Sequence, residues 1–166
     1  MSRGLGLLLV GATGAVGQAV LRQALGEKRI AQIVAPTRRP LGGEFAGQAK
    51  LLNPVIDFAR LPEEAPWWRV DAVVCTLGTT IKVAGSQAAF AAVDRDLPMA
   101  FARLARRAGA TRYALNSSLG ASARGSFYLR TKAEAEQGII DLGFASTTIV
   151  RPSLICLLYT SPSPRD

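Results

Sequence analysis

The sequence predicts an α/β protein built on a Rossmann-type, doubly wound parallel sheet, and three observations carry that expectation. The run LGLLLV, residues 5–10, is continuously apolar, as a strand covered on both faces must be. A glycine triplet, Gly11, Gly14 and Gly17, follows at once and opens into a helix-spaced segment. Beyond it, apolar strand-like blocks alternate with helical ones, the order that gives parallel strands with helices on both faces.

Taken in order, the first helix follows the glycine turn and ends near Gly26. AQIVAPTRR reads as the second strand, stopped by Pro36. Residues 41–66 are irregular and rich in Gly and Pro, with a short third strand at AKLLNP. VDAVVCTLG supplies the fourth strand, Val70 to Thr76. One or two helices cover Ser86 to Ala108, with Gly109 as the stop. TRYALNSS is a strand, YLRTKAEAEQGIIDLG a helix ending at Gly143, and STTIVRPSLI a last strand. No internal repeat interrupts this order.

A chain of 166 residues, 49% hydrophobic and 19% charged, fits one globular domain with a sizeable core. The net charge of +8 comes mostly from arginine. Those arginines are scattered, with only Arg38-Arg39 and Arg106-Arg107 adjacent, so a solvated basic surface is expected rather than a nucleic-acid interface. Histidine is absent, which removes His-dependent triads and the commonest metal ligand. Cys75 and Cys156 have neither disulfide nor metal-ligand spacing, so no metal site is expected. The first residues are too short an apolar run for a signal peptide, and no stretch approaches a membrane span. A cytoplasmic, reduced protein is therefore expected. Trp67 and Trp68 lie in a Pro-bounded loop that one buried indole would anchor.

The segment Gly11, Thr13, Gly14, Ala15, Val16 and Gly17 has the spacing of a phosphate-binding turn. The turn off the strand needs a residue without a Cβ, the backbone must approach a pyrophosphate closely, and the helix must present its first amides to the anion. An NAD-preferring site would place an acid at the end of the second strand. Here Thr37, Arg38 and Arg39 stand there instead. They can hydrogen-bond and neutralise a 2′-phosphate, which favours NADP(H) over NAD(H).

Tyr128 and Lys132 fall four apart on a predicted helix and so share one face. A neighbouring ammonium stabilises a phenolate, which suits the pair to acid–base work. Ser117 and Ser118 sit where the preceding strand ends, and a hydroxyl there can donate to a carbonyl oxygen as charge builds on it.

GATGAVG, NSSLGA, YLRTK and IVRPSLI, in this order, resemble the short-chain dehydrogenase/reductase superfamily, and most of all its atypical branch of Tat-interacting-protein-like, NAD(P)-binding oxidoreductases. The resemblance covers residues 3–155. It implies Tyr128 as general acid/base, Lys132 as the residue that orients the cofactor ribose and tunes Tyr128, and Ser118, in preference to Ser117, as the carbonyl-polarising serine. It implies that the loop of Leu77, Gly78 and Thr79 borders the cofactor and that Asp57 lies near the adenine. It also implies a homodimer seam along the helices flanking the fourth strand. The asparagine of the family's catalytic tetrad has no clear counterpart. Asp94 lies on the corresponding helix, and the interval from Ser118 to Tyr128 is short.

The expected function is an NADP(H)-dependent oxidoreductase that moves a hydride between nicotinamide and a small carbonyl or alcohol. The alternative is a dinucleotide-binding redox sensor without turnover. The last segment, CLLYTSPSPRD from Cys156 to Asp166, resembles translated sequencing-adapter DNA. Residues 1–155 are accordingly expected to form a Rossmann domain truncated at its C-terminus, and 156–166 a non-native tail without a chemical role.

Overall fold

A computed structural model describes residues 4–153; the tail at 156–166, with Cys156, lies outside the described residues. Six strands form one parallel sheet: β1 (Leu5–Val10), β2 (Ile30–Val34), β3 (Leu51–Leu52), β4 (Ala72–Cys75), β5 (Arg112–Asn116) and β6 (Ser146–Val150). Their order across the sheet is β3-β2-β1-β4-β5-β6. The chain thus winds outward from β1 to β3, crosses back to β4 beside β1, and winds outward again. This is the doubly wound Rossmann arrangement that the alternating blocks predict, and its reversal point lies between β1 and β4.

β1 is apolar throughout because it is central and covered on both faces. Its residues alternate, as strand geometry requires. Leu8 and Val10 enter one core with Val73, Cys75 and Tyr113, while Leu7 and Leu9 enter another with Ile33 and Leu21. Helix α1 (Ala15–Gly26) covers the second face through Leu21 and Ala24. On the opposite face lie α4 (Leu97–Arg107), with Phe101, Ala102 and Ala105, and α5 (Phe127–Asp141), with Ala135 and Ile139.

The helical region before α4 is more broken than its spacing suggests. A short helix α2 (Ile81–Ala84) precedes α3 (Gln87–Ala91), and a π-helical turn over Ala92–Asp96 joins α3 to α4. Sequence reading leaves α2 as loop, although its signals are present. Thr80 accepts the Val83 amide at 3.1 Å as an N-cap, and Gly85 stops the helix at φ +87. The aromatic loop is anchored as expected: Trp68 is buried and its indole N–H donates to the Pro62 carbonyl at 2.7 Å. Cys75 is a buried free thiol whose pKa burial pushes up, which makes it a small core residue.

Candidate active site

The turn between β1 and α1 is fixed by what its glycines lack. Gly11 has φ +92, and a Cβ there would lie 2.7 Å from Thr76 Oγ1 and 2.8 Å from the Leu77 amide nitrogen. A Cβ on Gly17 would lie 2.0 Å from the Gly11 carbonyl oxygen, so α1 can seat on the turn only with glycine at this position. Gly14 differs. Its φ of −77 suits any residue, and a Cβ would meet only the Gly11 oxygen, at an ordinary 3.6 Å. What a side chain at Gly14 would fill is the open space in front of it.

That space is a cleft of about 490 Å³ beyond the carboxyl ends of β1 and β4. The turn contributes Gly11, Ala12, Thr13 and Gly14; the loop after β4 contributes Leu77, Gly78 and Thr79. Thr37 and Arg38 line it from the end of β2. Ala15, Val16 and Gly17 form the first turn of α1 just behind the lining residues. The first intrahelical bond of α1 runs from the Gln18 amide to the Gly14 carbonyl, and helix geometry leaves the amides ahead of it without intrahelical partners. No acidic residue stands in that first turn, so the amides and the helix dipole favour an anion there.

Several expected residues carry tasks within the protein. Thr37 is buried; its hydroxyl donates to the Arg39 carbonyl at 2.6 Å and accepts from Asn53 at 2.8 Å. Its one proton is therefore spent, and Arg38 remains as the donor at this end of the cleft. Arg39 is exposed and outside the lining. Asp57 also lies outside it, where its carboxylate accepts the Ala59 amide at 2.9 Å and shapes the turn that puts Phe58 into the cleft wall. Sequence reading missed Phe58, together with Val83, Val93 and Leu97, which complete the apolar wall. Their signal was only that of apolar residues in a loop and on helix faces.

The Tyr128–Lys132 pair shares one face of α5 as the spacing requires, with the ammonium 5.7 Å from the Tyr128 ring centre. Tyr128 is half-buried and stacks at 5.2 Å on Phe90, which is fully buried. Lys132 Nζ donates to Asp94 Oδ1 at 2.5 Å, and the other carboxylate oxygen accepts the Thr79 amide at 2.9 Å. Burial pushes the Asp94 carboxyl above the ordinary range, against the pull of the Lys132 charge and the Thr79 amide.

Ser117 and Ser118 part company. The Ser117 hydroxyl is buried and donates to Glu136 Oε1 at 2.5 Å, and Glu136 is also paired with Arg151. Burial alone raises the Glu136 carboxyl, but the Arg151 guanidinium and the Ser117 hydroxyl overturn it and hold the group below its ordinary value. Ser118 is half-buried and makes only a 3.5 Å contact with the Leu119 carbonyl. Tyr128, Lys132, Ser117 and Ser118 all lie outside the lining of the cleft itself.

No protein-family model matches the chain. Several curated relatives do, and two illustrate them. It is 34% identical over 151 residues to the rat protein HTATIP2, covering 90% of this chain and 62% of that one. It is 37% identical over 152 residues to a mitochondrial fmp52 protein of Emericella nidulans, covering 89% of this chain and 65% of that one. Among solved structures, the UDP-glucuronic acid 4-epimerase of Bacillus cereus, in complex with UDP-glucuronic acid and NAD, superposes with a TM-score of 0.73 at 11% identity. That match covers 89% of this chain and 56% of the epimerase.

The chain is thus similar over about nine tenths of its length to HTATIP2 and to the fmp52 protein, and it shares its fold with an epimerase solved with NAD bound. The relatives span a longer sequence, and this chain covers somewhat under two thirds of each. The expectation of a cytoplasmic protein is corrected here, because the fungal relatives from several species are named as mitochondrial. Sequence reading rested on cysteine spacing and on the length of apolar runs, and neither assigns a compartment within the cell. No helix among the described residues is long and apolar enough to cross a membrane.

Proposed function

We propose that the cleft binds a nicotinamide dinucleotide, NADP(H) in preference to NAD(H), and that the chain carries the cofactor-binding part of an oxidoreductase acting on a small carbonyl or alcohol. The observation that carries this reading is Gly14. Nothing among the described residues requires a glycine there, yet it faces the cleft at the start of a twelve-residue helix. Close approach of a pyrophosphate accounts for the bare Cα, and the free amides of the helix account for the anion. The NAD complex of the similar epimerase supports the same ligand class.

The preference for NADP(H) rests on Arg38. Its side chain lines the cleft, and no carboxylate is among the lining residues. Calorimetric titration of the full chain with NADPH and NADH tests this. Arg38→Ala is expected to weaken NADPH binding about tenfold while leaving NADH binding unchanged. An equal loss for both cofactors, or none, defeats the preference.

When bound, the nicotinamide ring supplies or accepts the hydride. The chain's own residues handle the proton and the geometry. The Tyr128 phenol exchanges a proton with the substrate oxygen, the Ser118 hydroxyl donates to that oxygen, and Lys132 holds its charge beside both the phenol and the cleft. Ser117 serves instead to hold Glu136. Screening carbonyl compounds for NADPH oxidation tests the assignment: Tyr128→Phe is expected to lose turnover at least a hundredfold while retaining NADPH affinity. Turnover that survives the substitution refutes it.

One observation favours the redox-sensing alternative: Tyr128, Ser117 and Ser118 stand outside the cleft lining. Tight NADPH binding with no turnover on any carbonyl would select it.

A further inference from the structure

Two features meet at Asp94. The first is its burial. Its side chain has no exposure and that of its partner Lys132 only 7%, which makes theirs the one ion pair among the described residues with both members buried. Removing two charges from water costs more than packing two apolar side chains of the same volume, so stability alone does not account for the pair. The second is its position against the cleft. Asp94 accepts the Thr79 amide, and a Cβ on Gly78 would lie 3.6 Å from Asp94 Oδ1 and 3.8 Å from Lys132 Nζ. Gly78 and Thr79 both line the cleft, whereas neither Asp94 nor Lys132 does.

Gly78 is not in the left-handed region, and among the described residues a Cβ there would touch only Asp94 and Lys132. The fold itself therefore makes no demand for glycine at 78. Its bare Cα leaves an opening in the cleft wall, and the ammonium lies directly behind it.

We propose that Asp94 is the positioning residue of this site: its carboxylate holds the Lys132 ammonium behind Gly78, where the ammonium meets a dinucleotide bound in the cleft. The proposal rests on the reading of the cleft as a dinucleotide site. An unpaired lysine is a point charge on a flexible four-carbon stem, and ordering it on binding costs affinity. Here one of its three N–H donors is spent on Asp94, the stem is fixed in advance, and two donors remain. The same carboxylate fixes the Thr79 amide, so the ammonium and the loop after β4 are set relative to each other by one group. The carboxylate comes from the π-helical turn between α3 and α4, a departure from regular helix that often marks functional positions.

Calorimetric titration with NADPH, on the full chain and four variants, tests this. Lys132→Met and Asp94→Asn are each expected to weaken binding about tenfold, and Asp94→Asn is expected to add less than about twofold when Lys132→Met is already present, because it acts through the ammonium. Gly78→Ala is expected to weaken binding about tenfold with an unchanged thermal midpoint, since its methyl group closes the opening without crowding the protein. Asp94→Asn weakening binding equally in both backgrounds, or Gly78→Ala binding NADPH as the wild type does, overturns the proposal. Should Asp94→Asn fail to fold, Gly78→Ala decides alone. A wild-type chain that binds neither NADPH nor NADH overturns instead the reading of the cleft on which the proposal rests.

Discussion

The glycine turn and the Asp94–Lys132 cluster border the same cleft, but they are held by opposite means. The turn is a matter of exclusion: a Cβ on Gly17 would collide with the Gly11 carbonyl six positions back, and one on Gly11 with Thr76 and Leu77 at the end of β4. The cluster is a matter of attraction across the chain, joining Lys132 to a carboxylate 38 residues away and that carboxylate to an amide 15 residues away. The first tolerates no added atom at Gly11 or Gly17, and the second tolerates no missing charge. Steric exclusion gives a rigid cradle at little cost in solvation, whereas charge pairing inside a core must be complete to be tolerable.

The sharpest way to expose this difference is to break the pair. Lys132→Met leaves the Asp94 carboxylate buried without its counter-charge, with an expected loss of about 3–5 kcal/mol in urea unfolding. The loss shrinks as pH falls, because burial favours the protonated acid. Gly17→Ala attacks the turn by addition, placing a methyl 2.0 Å from a backbone oxygen. It is expected to cost about 3 kcal/mol in the same measurement, with no pH relief. A Gly17→Ala loss that did vary with pH would blur the comparison.

Glu136 supplies the pH arm. Its folded-state carboxyl lies below its ordinary value, so the unfolded chain binds its proton more readily. The stabilisation is present above the unfolded pKa and is lost as pH falls through the folded one. The thermal midpoint is thus expected to drop as pH falls below about 5, and to drop less in Glu136→Gln. The smallest stability effect belongs to Gly14→Ala. Its Cβ meets no obstacle, so stability changes by less than about 0.5 kcal/mol. NADPH affinity nevertheless falls about tenfold, because the methyl group occupies the space for a phosphate.

The same contrast explains what was legible in the sequence. The strand–turn–helix unit and the order of the sheet follow from short-range patterns, from the apolar run of β1 and from the spacing of Gly11, Gly14 and Gly17. The face shared by Tyr128 and Lys132 follows equally from a spacing of four. The partners of those side chains do not. Nothing near Asp94 announces Lys132, and nothing near Ser117 announces Glu136, because only the packing of α5 against the π-helical turn and β5 brings them together. Helix α2 is an intermediate case, too short for periodicity to reveal and marked only by Thr80 and Gly85 at its ends.

The two tryptophans of the chain lie side by side, their rings 4.3 Å apart. Trp68 packs 5.6 Å from Phe101, which in turn meets Phe58 edge-on at 5.3 Å, and Phe58 is part of the cleft wall. A short row of rings therefore runs from the cleft to the only indoles in the molecule. The protein carries a built-in optical gauge: its ultraviolet emission arises from one spot in the core, shifts to the red when that core is exposed to water, and lies two aromatic contacts from whatever enters the cleft.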